Sequence, residues 1–331
     1  MKVLVTGADG MLGSYLVREL LARRHAVRAF VQPGSASPTL DGLPLERVAG
    51  DLRADRDVDG AVAGCDAVCH CAAVIDLNAA PALIREVNLE GTRRLVRAAR
   101  TNRVRRFVFV SSASAFQFGT PDDPAETCGD FPEVYRGVAY AESKRAATDL
   151  VRAAVREHGL NAVVVAPTFM IGGFNCRPGS SDLLRAFAAG RLRVSSPGGR
   201  NFVFAGDAAV ATANALQQGE IGEAYLLAGE NLTYTQFLTL AAVPARRRPP
   251  LFTLPGALVL AAGTVCTWSE KITGRKLKLN AQLARLSLSF PCYRATRAIR
   301  DLDLPQTPIR AAIEESLAGL RAYGLLPGEK P

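Results

Sequence analysis

Tyr140 and Lys144 stand four residues apart in Tyr140-Ala-Glu-Ser-Lys144, a spacing that puts a phenol and an ammonium on one face of a helix. Of the seven Tyr residues, only Tyr140 has Lys at this spacing. A phenol ionises near pH 10 and is a poor base at neutral pH. A neighbouring ammonium favours the phenolate and brings the group towards a useful range, so the pair can pass a proton to or from a substrate oxygen. In isolation the same spacing describes an ordinary surface aromatic–cation pair, so its meaning depends on what lies around it.

A second cluster supplies that context. Thr6-Gly7-Ala8-Asp9-Gly10-Met11-Leu12-Gly13 follows a strand-like run, Lys2–Thr6, and opens a helical pattern, Leu12–Arg23. Gly7 permits a tight turn, Gly10 lets the backbone approach a pyrophosphate, and Gly13 allows close helix–strand packing. The helix start at Met11 and Leu12 offers free N–H groups and the positive end of its dipole. Three glycines alone say little; the strand before and the amphipathic helix after them mark a dinucleotide site.

The elements that must position these groups alternate. Strand-like runs at Lys2–Thr6, Ala26–Val31, Leu45–Ala49, Ala67–Cys71, Phe107–Ser111 and Ala162–Ala166 are separated by helical patterns such as Leu12–Arg23, Asn88–Thr101 and Tyr140–His158. Short Val-rich runs suit strands buried on both faces. The expected fold is α/β, a Rossmann doubly wound parallel sheet with a smaller, mostly helical C-terminal lobe. The dinucleotide domain spans 1–168, with 201–228 returning to it. Residues 169–200 and 229–326 form the substrate lobe, and Ser111-Ser112 lies at the carboxyl edge, where ligands bind in such sheets.

The spacing Gly-x-x-Gly-x-x-Gly resembles the short-chain dehydrogenase/reductase superfamily, specifically its extended members. Asp51-Leu52 is similar to the pair that holds the adenine in such proteins. His70-Cys-Ala-Ala73 is similar to the segment beneath the cofactor, and Asn88-Leu-Glu-Gly-Thr92 to the start of the helix behind it. Pro167-Thr-Phe-Met-Ile-Gly172, Asn201-Phe-Val-Phe and Asp207 resemble later landmarks, so the likeness runs through essentially the whole chain. The dihydroflavonol-reductase-like and hopanoid-associated sugar-epimerase-like branch, within the NAD-dependent epimerase/dehydratase proteins, is the one it resembles most. The resemblance implies that Ser112 holds the substrate oxygen, Tyr140 is the acid/base, and Lys144 also binds the nicotinamide ribose. It implies dinucleotide contacts from Gly7, Gly10, Met11, Leu12, Gly13, Gln32, Asp51, Leu52, Ala72, Ala73, Asn88 and Pro167, besides Tyr140 and Lys144.

The expected cofactor is NAD or NADP. An acid at the end of the second strand would bind a ribose 2′-OH and an Arg a 2′-phosphate; Val31-Gln32 offers neither, which leans towards NAD. Arg28, Ser35 and Ser37 are the remaining candidates for a 2′-phosphate. The expected reaction interconverts a ketone or aldehyde and an alcohol by hydride transfer, with Tyr140 handling the proton. Apolar runs at Leu251–Trp268 and Leu277–Phe290 point to a moderately large, partly apolar carbonyl or alcohol substrate. One alternative is a nucleotide-sugar epimerase with tightly bound NAD, its substrate diphosphate met by Arg177, Arg185, Arg191, Arg193 and Arg200. A 4,6-dehydratase carries an acidic pair where Ala113 and Ser114 stand. Another alternative is a non-catalytic dinucleotide-binding regulator, though such proteins usually lose Tyr or Lys.

Composition narrows the classes further. Hydrophobic residues make up 48% and charged residues 21%, enough apolar material for a core, with disorder expected only over Pro327–Pro331. The net charge of +9 is carried mostly by Arg scattered along helices, as at Arg93, Arg94, Arg97 and Arg100. That pattern suits solvated faces and steering of anionic ligands rather than nucleic-acid binding. Cys69-His70-Cys71 reads as a buried strand lacking a fourth ligand at suitable spacing, so no metal is expected. Seven cysteines without a disulfide-like framework, and a first strand with no signal-peptide pattern, point to a reducing cytoplasm. Leu251–Trp268 is interrupted by Pro255, Gly256 and Gly263, and reads as a core-packing helix of the C-terminal lobe rather than a span. Its flanks, Arg246–Arg248 before and Lys271, Arg275, Lys276 and Lys278 after, leave peripheral membrane contact as the alternative. A homodimer through helices Asn88–Thr101 and Tyr140–His158 is implied by the family resemblance alone.

Overall fold

The computed structural model describes residues 1–174, 179, 181–273 and 280–326. Arg177, Arg275, Lys276, Lys278, the side chain of Lys271 and Pro327–Pro331 lie outside the described part. The strands are β1 (Lys2–Thr6), β2 (Ala26–Val31), β3 (Glu46–Ala49), β4 (Ala67–His70), β5 (Arg106–Val110), β6 (Ala162–Pro167), β7 (Phe169–Ile171), β8 (Gly199–Phe204), β9 (Ala224–Leu227) and β10 (Glu230–Thr233). The helices are α1 (Met11–Ala22), α2 (Asp55–Val62), α3 (Pro81–Arg85), α4 (Gly91–Thr101), α5 (Ala139–His158) and α6 (Ser181–Ala188), then α7 (Ala205–Asn214), α8 (Tyr234–Ala242), α9 (Gly256–Thr273), α10 (Ala281–Leu288), α11 (Thr296–Leu302) and α12 (Ile309–Ala322).

Seven strands form one parallel sheet in the order β3-β2-β1-β4-β5-β6-β9. The order reverses between β1 and β4, so the chain leaves these two neighbours on opposite sides and opens a crevice at their carboxyl ends. Every residue of β4, β5, β6 and β9 is buried, as the uninterrupted apolar runs require of strands covered on both faces. Strand limits shift from the sequence reading by a residue or so at several ends, where β3 begins at Glu46 and β5 at Arg106. A larger difference lies before α4. The chain is already helical from Pro81, and a π-turn over Glu86–Glu90, carrying Asn88, joins α3 to α4. α5 ends on Gly159 in the left-handed conformation, φ 66°, which a β-carbon would oppose.

A second sheet, β10-β8-β7, packs with α6, α8 and α12 around Phe187, Phe202, Phe237 and Leu317. Tyr293, Ala298 and Leu302, late in the chain, join the core of the large sheet instead. The expectation that Leu251–Trp268 is a core-packing helix is corrected. The helix over part of that run, α9, meets α10 along a narrow stripe at Val259 and Gly263, where a β-carbon on Gly263 would lie 2.4 Å from that of Ala284. Most of its remaining surface faces outward. Among the described residues, no helix is long and apolar enough to cross a membrane.

Candidate active site

The glycine turn is built to be tight on two sides and open on a third. Gly7 has φ 63°, and a β-carbon there would fall 2.7 Å from the Ala72 Cα, so the turn touches the segment leaving β4. A β-carbon on Gly13 would fall 2.1 Å from the Gly7 carbonyl oxygen, locking α1 against the turn. At Gly10, by contrast, it would meet only that same oxygen, at 3.2 Å. α1 starts there without a side-chain cap, leaving its first N–H groups for an anion. The turn, Met11 and Leu12 therefore fit a dinucleotide pyrophosphate, with Ala72 and Ala73 passing beside it.

The proton-handling candidates meet at the same edge. Ser112 follows β5, and its hydroxyl lies close enough to the Tyr140 phenol to favour its ionised form, against burial, which raises the phenol pKa. Ser112 also meets the Ser114 hydroxyl at 2.9 Å. Lys144 is buried one turn further along α5; its Nζ donates to the Val110 carbonyl at 2.8 Å and lies 5.2 Å from the Phe109 ring centre. Burial brings its ammonium down to about 8, partly opposed by the Cys71 thiol. Sequence spacing suggested that Lys144 lowers the Tyr140 pKa; in the structure burial raises it, and the neighbour that opposes the rise is the Ser112 hydroxyl.

Asn88 stands behind this edge. Its side-chain oxygen accepts from the Val74 N–H at 2.7 Å, and its amide donates to the Val74 carbonyl and the Ser143 hydroxyl, each at 3.0 Å. Both donors are thus engaged within the protein, and Asn88 braces α5 against the Ala72–Val74 segment. His70 extends the brace. Thr92 donates to the Asn88 carbonyl, so the His70 Nε2–H donates to Thr92 at 3.0 Å, and Nδ1 accepts from Thr6 at 2.7 Å. Burial lowers the His70 pKa to about 3, so the ring is neutral and both nitrogens are occupied. These long-range bonds carry no sequence signal beyond the residue types themselves.

The adenosine end is less cationic than the sequence allowed. Gln32 is exposed, whereas Arg28 bonds the Ala61 and Ala63 carbonyls, at 2.8 and 2.7 Å, and pairs with Glu46. Ser35 and Ser37 both donate to the buried Asp9 carboxylate at 2.7 Å. Arg28 is therefore corrected as a candidate for a 2′-phosphate. Asp51 holds Arg53, which lowers its carboxyl pKa, and Leu52 packs under Gly91. Pro167 closes β6, and the next residue, Thr168, donates to the buried Asn201 at 2.8 Å. Asp207, another landmark, accepts from Thr307 through both carboxylate oxygens.

Residues 3–228 match the model of the NAD dependent epimerase/dehydratase family. The chain belongs to that family. This family member is 33% identical to sterol demethylase protein B of Methylococcus capsulatus, over 98% of this chain and 100% of that one. It is 29% identical to a putative dihydroflavonol 4-reductase of Synechocystis, over 97% and 94% of the two chains. The crystal structure of gox2253 superposes with a TM-score of 0.85 at 28% identity, covering 98% of this chain and 99% of that one. The family member is accordingly an NAD(P)-dependent oxidoreductase acting on a small molecule.

Proposed function

We propose that the chain reduces a ketone, or oxidises the corresponding alcohol, on a bulky and largely apolar substrate of the sterol kind. The observation that carries this reading is the meeting of Ser112 and Tyr140, with buried Lys144 one turn on, at the sheet edge that also bears the open glycine turn. The similarity to sterol demethylase protein B supports the apolar substrate class. Residues 1–168, with 201–228, serve the dinucleotide, and 169–200 with 229–326 serve the substrate, apart from the stretch around Tyr293, Ala298 and Leu302 that packs into the core of the large sheet.

Gly7, Gly10, Gly13 and the α1 N-terminus hold the pyrophosphate, Asp51 and Leu52 the adenine side, and Tyr140 and Lys144 the nicotinamide ribose. Bound there, the nicotinamide supplies or accepts the hydride. In the reductive direction Ser112 and Tyr140 donate hydrogen bonds to the carbonyl oxygen, whose negative charge grows as the carbon is reduced. Tyr140 then gives up its proton to that oxygen, and the Ser112 hydroxyl steadies the phenolate left behind. The epimerase alternative asks for free guanidiniums to meet a diphosphate. Arg200 bonds the Leu286 carbonyl at 3.0 Å and Arg185 pairs with Asp182 at 2.5 Å, whereas Arg191 and Arg193 are exposed, so the reductase reading rests on the similarity to reductases rather than on these arginines.

Replacing Tyr140 by Phe keeps the ring and removes the transferable proton. Turnover of an apolar ketone with NADH or NADPH should fall by roughly two to four orders of magnitude. Dinucleotide affinity, read by fluorescence titration, should stay within a few-fold of the parent. Near-normal turnover would refute the role of Tyr140.

A further inference from the structure

We infer that the exposed face of α9, with the short segment before it, docks on an anionic phospholipid surface. From Gly256 to Trp268 the helix carries no charged residue, yet Val265 is 68% and Trp268 70% exposed. Leu258, Val265 and Trp268 follow one another at +7 and +3, so they share one stripe, opposite the Val259–Gly263 stripe that meets α10. Leu251, 72% exposed, and Phe252 extend the apolar surface towards the helix. Monomeric proteins rarely leave contiguous apolar surface of this kind in water, and an aromatic at its end suits a membrane interface.

Charge selects the occupant. Arg246, Arg247 and Arg248 are exposed and lead directly into Leu251 and Phe252, and the whole chain carries +9. Cations beside an apolar helix match a surface that is anionic outside and hydrocarbon beneath, whereas the same cations on two copies of this chain would repel. No described helix can cross a bilayer, so the contact lies in the interface.

Trp268 is the sole tryptophan, so intrinsic emission reports this face alone. Full-length protein, without dinucleotide or substrate, is mixed with vesicles of phosphatidylcholine alone or containing phosphatidylglycerol. The expected result is co-sedimentation and a blue-shifted emission with the phosphatidylglycerol vesicles, weakened by salt. Trp268→Ser with Val265→Ser, and separately Arg246→Gln with Arg248→Gln, should each weaken sedimentation at least about tenfold, because each removes one of the two attractions. The variants should keep a native circular-dichroism spectrum and normal turnover of a water-soluble ketone. Absence of a shift and of sedimentation at low ionic strength would overturn the inference. So would sedimentation indifferent to both variant pairs, or a dimer in solution that Trp268→Ser with Val265→Ser dissociates.

Discussion

Tyr140 is pulled two ways, since burial raises its pKa while the Ser112 hydroxyl favours the phenolate. Removing that hydroxyl by Ser112→Ala should lower kcat by on the order of a hundred- to a thousandfold, the usual cost of one donor aimed at a developing oxyanion. Steady-state kinetics at saturating dinucleotide checks it. Lys144 adds a pH signature. Its ammonium, brought down to about 8 by burial, is charged below that pH and neutral above it, so reductive kcat/KM should fall as pH rises through about 8. The residual activity of Lys144→Met should lack that limb. The glycine turn, Ser112 and the Tyr140–Lys144 pair were legible in the sequence because each is written in a few consecutive residues. The Val110 carbonyl that receives Lys144, 34 residues away, was not, because backbone acceptors leave no trace in residue types.

At the scale of elements, the bond network of Asn88 decides how α5 sits. Asn88→Ala would strip Val74 and Ser143 of their shared partner and leave buried groups unpaired, costing about 1–3 kcal/mol for each one left unsatisfied. Thermal unfolding should show the loss, and kcat should fall with it because Tyr140 and Lys144 ride on α5. His70 makes a second element-scale prediction. Folded, it ionises near 3; unfolded, near 6.5. Between these values the unfolded chain binds the extra proton, so stability falls as pH drops from about 6.5 towards 3, by up to about 1.4 kcal/mol per pH unit. His70→Gln should unfold more easily at pH 7 yet lose less stability than the parent between pH 6.5 and 4, as denaturant titration would show. The sequence reading gave a helix over Asn88–Thr101 and missed that it is helical from Pro81. Periodicity does not register a π-turn, which adds one residue to the repeat.

At the scale of the whole molecule, the alternation of strands and helices made the doubly wound sheet legible, since apolar runs buried on both faces admit few other arrangements. The surroundings of α9 were not legible, because an apolar helix reads alike whether a core or a lipid surface covers it. Cofactor choice also belongs here. With Gln32 uncharged, Arg28 engaged with Glu46 and Asp9 negative beside Ser35 and Ser37, kcat/KM should be higher with NADH than with NADPH. A large preference for NADPH would contradict that reading. The most direct measurement is a crystal structure of the complex with NAD. The expected result has the pyrophosphate over Gly10 and the α1 N-terminus, with Tyr140, Lys144 and Ser112 grouped around the nicotinamide end. A dinucleotide bound away from the glycine turn, or a nicotinamide out of reach of the Tyr140 phenol, would contradict the assignment.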